Sequence, residues 1–124
     1  DVLGYGEQEK SAGLSLLQAP CYDLVAANAL AAAGAQMVLF TTGRGTPFAS
    51  PVPTLKIASN VQLAQFKKNW IDFNAGMLLA GSGREETAKA FFALLLDVAS
   101  GRKQVKSEAL DKHELAIFKD GVTL

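Results

Sequence analysis

Residues 22–42 read YDLVAANALAAAGAQMVLFTT, and this stretch decides the fold. Its first half, 24–33, is rich in alanine, which loses almost no side-chain freedom in a helix, and Gly34 supplies a stop. Asp23 stands at the entrance as N-cap or first-turn residue, where a carboxylate meets the positive end of the helix dipole. The second half, 37–41, is unbroken apolar sequence up to the threonines, as in a strand covered on both faces. Upstream, the apolar run 14–17 lies between Gly13 and Pro20 and reads as a further buried strand. Strand, helix and strand make a βαβ crossover with parallel strands. The expected fold is α/β, a Rossmann-like three-layer domain with a mostly parallel sheet of about four to five strands flanked by helices.

Working outward, residues 43–53 are too rich in glycine and proline for regular structure. Residues 55–58 resume as a third strand. Ser59 and Asn60 cap a short helix reaching Lys68, with Val61, Leu63 and Phe66 as its apolar members. Residues 70–73 read as a fourth strand, and Asn74 caps a brief helical turn ended by Gly81. From 84 to 99 the set Ala88, Phe91, Phe92, Leu95, Leu96 and Ala99 keeps helical spacing, and Ser100-Gly101 ends it. Beyond Lys106 the pattern weakens; Leu115, Ile117 and a turn at Gly121 suggest an edge strand or an extended cover.

The chain has 124 residues, which makes residues 1–124 one domain with one core. Twelve basic residues balance twelve acidic ones, so the basic surplus that nucleic-acid binding needs is missing. The three cations from Arg102 to Lys106 read as a solvated helix exit. No apolar run approaches the roughly 20 residues of a membrane span. A lone cysteine, Cys21, cannot close an internal disulfide and fits a reducing, cytoplasmic setting. The opening residues, DVLGYGE, carry neither an initiator methionine nor a basic leader, and read as the middle of a longer polypeptide.

The loop from Thr41 to Pro47 is the richest in chemistry. It leaves a buried strand at the carboxyl end, where open parallel sheets bind ligands. Gly43 and Gly45 permit close backbone approach or positive φ, and consecutive N–H groups there can form an anion nest. Arg44 offers a planar fork matched to a carboxylate, while Thr41, Thr42 and Thr46 offer hydroxyls for sugar oxygens. The plainer alternative is a turn shaped by its glycines, with Arg44 paired to a structural acid. Asp23 can orient a hydroxyl, act as a base or help hold a metal, or it can serve only the helix start. Cys21 beside a helix N-terminus is a thiolate candidate or an inert small apolar residue. Asn74 either caps its helix or reaches the crevice with its amide. His113, in a charged tail, comes with no metal-ligand spacing and reads as a surface residue. The chain thus holds no self-contained catalytic set.

Taken together, LLQAPCYD, AAGAQMVLFTTGRGTPF, PTLKIASN and IDFNAG resemble the C-terminal region of the galactarate dehydratase/altronate dehydratase family. The resemblance runs from about residue 14 to residue 124, and the closing ELAIFKDGVTL is more similar to the galactarate branch. Cys21 and Ala49 stand where relatives usually carry glycine. The resemblance implies a hydro-lyase that removes water from galactarate to give a 3-deoxy-2-keto hexarate, with altronate as the alternative substrate. It also implies a divalent metal, iron(II), in the intact enzyme, and an N-terminal part of the polypeptide that supplies what this fragment lacks. Thr41, Thr42, Gly43, Arg44, Gly45, Thr46 and Asn74 become the expected contacts of an aldarate or aldonate. Asp23 becomes the candidate catalytic residue, with the metal ligands unassigned. A homo-oligomer is compatible with this picture. A module of another class, binding a carboxylate without chemistry or serving oligomerisation alone, is the competing reading.

Overall fold

The apolar runs build two parallel sheets. The structure, a computed structural model, describes residues 1–117. Strand β1 (Val2–Leu3) pairs in parallel with β2 (Leu16–Leu17) and the two form a small sheet of their own. Helix α1 (Asp23–Ala32) leads to β3 (Val38–Thr42), and a long loop leads on to β4 (Thr54–Ala58). Helix α2 (Val61–Phe66) connects β4 to β5 (Phe73–Asn74). A 3-10 turn (Ala75–Leu78), helix α3 (Arg84–Ala99) and helix α4 (Lys106–Ala109) follow. The second sheet has the order β3-β4-β5, and all its pairs are parallel.

Residue alternation along β4 sets the layers. Leu55 and Ile57 face one side and form a core with Val98 and Val105, joined by Phe73, Phe91, Leu94 and Leu95. On the other side Val38 packs with Ala27 of α1 and Phe48, joined by Leu24, Phe40 and Val52. At the carboxyl end Ala58 closes a third cluster with Leu63 of α2 and Ile71. The expected α/β class with parallel strands between helices is therefore present.

Several boundaries differ from expectation. The run 14–17 supplies only two strand residues, and Leu14 and Leu16 are 85% and 64% exposed. It pairs with residues 2–3 and not with β3, so the crossover expected around α1 does not join one sheet. The β–α–β unit within the larger sheet is instead β4-α2-β5. Nothing in residues 1–17 signals this pairing, because a two-residue partner at Val2–Leu3 is too short to show periodicity. The fourth strand lies at Phe73–Asn74 instead of 70–73, since Trp70 is spent in a turn whose N–H donates to the Lys67 carbonyl. Helix α3 buries Thr87 and Val98 and half-buries Phe91, Leu94 and Leu95, but leaves Ala88, Phe92, Leu96 and Ala99 exposed. Its apolar residues spread round more of the helix than one face of the sheet can cover. Residues 112–117 form neither helix nor strand; Glu114 ties them across the loop, its N–H donating to the Ala49 carbonyl at 2.9 Å, while Leu115 and Ile117 stay exposed. The turn expected at Gly121 lies outside the described residues.

Gly76, buried in the 3-10 turn, holds the β5 end against the β4 end. A Cβ there would lie 2.4 Å from Asn60 C and Val61 N, both backbone atoms that cannot swing aside. Gly76→Ala is therefore expected to lose at least about 2 kcal/mol in urea unfolding, as overpacking does. A loss below about 0.5 kcal/mol, the range of neutral surface changes, would contradict this packing.

Candidate functional site

Parallel strands open their crevice at the carboxyl ends, and three segments leave the larger sheet there. β3 runs into residues 43–47, β4 into Ser59-Asn60, and β5 into the 3-10 turn. Asn60 links the first two. Its Oδ1 accepts the Leu63 N–H at 2.8 Å, capping α2, and its Nδ2 donates to the Gly43 carbonyl at 3.1 Å. Thr42 Oγ1 accepts the Gly45 N–H at 2.9 Å and closes a turn around Arg44. Gly45 has φ +78°, and a Cβ there would lie 2.9 Å from both Leu63 Cδ1 and Lys67 Cδ. Lys67 Nζ donates to the Gly45 carbonyl at 3.3 Å and lies 4.9 Å from the Trp70 ring centre. The loop backbone is thus pinned on both sides of Arg44. The Arg44 side chain is exposed and makes no hydrogen bond or ion pair with a described residue. A guanidinium on a tethered loop with its donors unspent is suited to gripping a carboxylate.

The residues named from sequence divide between the two sides of the sheet. Thr46 is half-buried and, with Cys21, Asp23, Phe48 and Glu114, lines a cleft of about 400 Å³ at the start of α1. Asp23 and Thr46, with helix α1 and strand β3 between them in the chain, are thereby brought together. Asp23 sits in the first turn of α1 behind Tyr22 as N-cap, and its side chain makes no capping bond. Thr41 is exposed and turns the opposite way, lining an apolar groove of about 280 Å³ with Ile57, Phe73 and Phe91. Asn74 spends its Oδ1 on the Gly76 N–H at 3.1 Å, so its amide caps the 3-10 turn. His113 is a half-exposed surface residue 3.6 Å from Asp111 Oδ1.

Sequence reasoning passed over three residues. Lys56, 2% exposed in mid-strand, donates from Nζ to the Thr46 carbonyl at 2.7 Å and lies 5.7 Å from the Phe48 ring centre. Asp72 accepts the Lys56 N–H at 2.8 Å and the Lys106 N–H at 2.9 Å, clamping β4 to the start of α4. Glu114 enters the cleft wall from the tail. A signal for Lys56 existed, because a lone lysine inside an otherwise apolar strand has to be buried with a purpose. Burial lowers the Lys56 pKa from that of free lysine, against the opposing pull of Asp72 and Glu114 and with a further push down from Lys112.

Among the described residues, no three His, Cys, Asp or Glu side chains converge as metal ligands. Cys21, Asp23 and Glu114 line the cleft without forming such a set, so these residues do not fit the divalent ion that the resemblance implies. No helix among them is long and apolar enough to cross a membrane.

The family described as D-galactarate/Altronate dehydratase, C-terminal, matches residues 1–123. The chain belongs to this family. An altronate dehydratase of Bacillus subtilis (strain 168) is 56% identical over 100% of the chain, and one of Escherichia coli (strain K12) is 54% identical over 100%. A galactarate dehydratase (L-threo-forming) of Escherichia coli (strain K12) is 36% identical over 95%. This order runs against the galactarate preference drawn from residues 114–124. The chain spans 25% of the length of either altronate dehydratase and 23% of the galactarate dehydratase. Within this dehydratase family domain, the pinned Gly-Arg-Gly loop and the α1 cleft both adjoin Thr46.

Two tests follow from the geometry. Asn60→Ala should lose about 1–2 kcal/mol in thermal or urea unfolding. Asn60→Asp, which keeps the capping oxygen but not the donor to Gly43, should lose distinctly less; equal losses would show that the cap carries nothing. The second test concerns pH. Because the folded Lys56 gives up its proton before the unfolded one does, the unfolded state binds more protons between the lowered pKa and 10.5. Stability relative to Lys56→Met should therefore rise with pH across that window, by no more than about 1.4 kcal/mol per pH unit. A difference that stays constant would contradict the burial of a charged amine.

Proposed function

We propose that this chain is the C-terminal, loop-bearing domain of an altronate dehydratase, a carbon–oxygen lyase acting on a sugar acid. The observation that carries the reading is identity of 56% and 54% with relatives named altronate dehydratase, against 36% with a galactarate dehydratase. The exposed Arg44 on its tethered loop supports it chemically, because an aldonate presents a single carboxylate for a planar fork to hold.

The reaction breaks C2–H and C3–O. The C2 proton passes to a base, the C3 hydroxyl leaves as water after protonation, and the resulting enol becomes the 3-deoxy-2-keto acid. Loss of a proton beside a carboxylate builds negative charge on that carboxylate. We assign Arg44 and the backbone N–H groups of Gly43, Arg44 and Thr46 to holding it, the Gly45 N–H being held by Thr42. Asp23 and the Thr46 hydroxyl, sharing one cleft wall, are assigned to the substrate hydroxyls, with Asp23 the candidate for moving a proton. The divalent ion, iron(II), would draw its ligands from polypeptide outside the described residues. That polypeptide is also the proposed partner for exposed apolar side chains such as Leu79, Phe92 and Leu96, which are 86%, 60% and 49% exposed. A cytoplasmic setting accords with the free Cys21.

Anaerobic turnover of D-altronate and of galactarate by the intact protein with ferrous iron tests the reading. Altronate should have the higher kcat/KM. Arg44→Ala should keep its melting temperature and lose at least about a hundredfold in kcat/KM, or about 2.7 kcal/mol of transition-state stabilisation. Preference for galactarate would overturn the substrate, and an unimpaired Arg44→Ala would overturn the role of the loop.

A further inference from the structure

A charge in the middle of a core strand is expensive, and β4 carries one. Lys56 is 2% exposed, in register with Phe40 of β3 and over the ring of Phe48. Phe40 and Phe48 meet edge to face, with ring centres 5.0 Å apart at 84°. An apolar residue there would extend the cluster of Val38, Phe48 and Ala27, and such replacements of buried charges are often neutral or stabilising. No described carboxylate forms an ion pair with the ammonium. Its hydrogen bond goes instead to a loop carbonyl, Thr46 O at 2.7 Å. Thr46 and Phe48, whose carbonyl and ring the ammonium meets, both line the cleft that holds Asp23 and Glu114.

We infer that Lys56 is a positioning residue for this cleft, its buried ammonium fixing the Thr46–Phe48 wall from behind. The other tethers of the loop act on residues 43–45, through Thr42, Asn60 and Lys67. Lys56 acts one residue further on, where the chain turns from the Gly-Arg-Gly segment to the cleft. It therefore sets the distance between the proposed carboxylate grip and the face shared with Asp23. The inference deepens the dehydratase reading and rests on it only for the identity of the ligand.

Hydrogen exchange and kinetics on the intact protein, comparing wild type with Lys56→Met and Lys56→Arg, test it. Met keeps the length and removes the charge and donors; Arg restores both. Lys56→Met should fold, and the amides of Thr46 and Phe48 should exchange about tenfold faster, as loss of one tethering bond allows, while α3 amides keep their rates. Lys56→Arg should recover part of that protection. For altronate, Lys56→Met should raise KM by about tenfold and change kcat much less, since the wall orients ligand without touching the reacting atoms. Unchanged exchange at Thr46 and Phe48, faster exchange throughout the domain, a Met variant that does not fold, or an Arg variant no better than Met would each overturn the proposal. Wild-type protein that turns over neither sugar acid would sink the dehydratase reading, and the exchange rates would still decide the role of Lys56.

Discussion

Strand β4 is buried along its whole length, and the remainder of the domain is arranged around satisfying it. Water is excluded from both faces, so each polar group in residues 54–58 must find its partner within the protein. Those partners are the loops. Thr54 Oγ1 accepts the Ser50 N–H at 2.9 Å, Lys56 Nζ reaches the Thr46 carbonyl, and Asp72 takes the Lys56 N–H. The Thr54 carbonyl receives Ser107 Oγ from α4 at 3.2 Å. The long excursion between β3 and β4 therefore has a definite course despite its glycines and prolines. A strand buried in this way supplies the rigidity that a binding loop needs.

The same logic extends to the carboxyl edge. Asn60, in the first turn beyond β4, caps α2 with one end of its amide and holds Gly43 with the other. Gly76 brings the β5 end into direct backbone contact with Asn60. Thr42, Lys67 and Asn60 use their polar groups on the loop backbone, which leaves the Arg44 guanidinium with nothing described to do inside the domain. An arginine so presented has its donors open to an anion from outside the domain. The altronate dehydratase reading identifies that anion as the substrate carboxylate.

Much of this was legible in the sequence, for physical reasons that differ by element. Helix α1 and strands β3 and β4 were readable because alanine-rich and unbroken apolar runs each favour one backbone conformation. Asn60 and Asn74 were readable as caps because a short amide before an apolar run has few other uses there. Asp23 and Thr46 were readable as separate candidates but not as neighbours, and Glu114 not at all, because its place depends on a tail that crosses the loop by tertiary contact. Thr41 was grouped with Thr42 although strand alternation sends neighbouring side chains to opposite faces, and that alternation was available to apply. The pairing of β2 with β1 was hidden by its brevity. The galactarate preference rested on the last eleven residues, a short segment to set against identity over the full chain.

The most direct test of the account is a crystal structure of the intact protein with D-altronate bound. The account predicts the sugar-acid carboxylate within hydrogen-bonding distance of the Arg44 guanidinium or the N–H groups of Gly43, Arg44 and Thr46, with its hydroxyls toward Thr46 and Asp23. A carboxylate bound elsewhere, with Arg44 engaged in a structural ion pair to another part of the polypeptide, would contradict it.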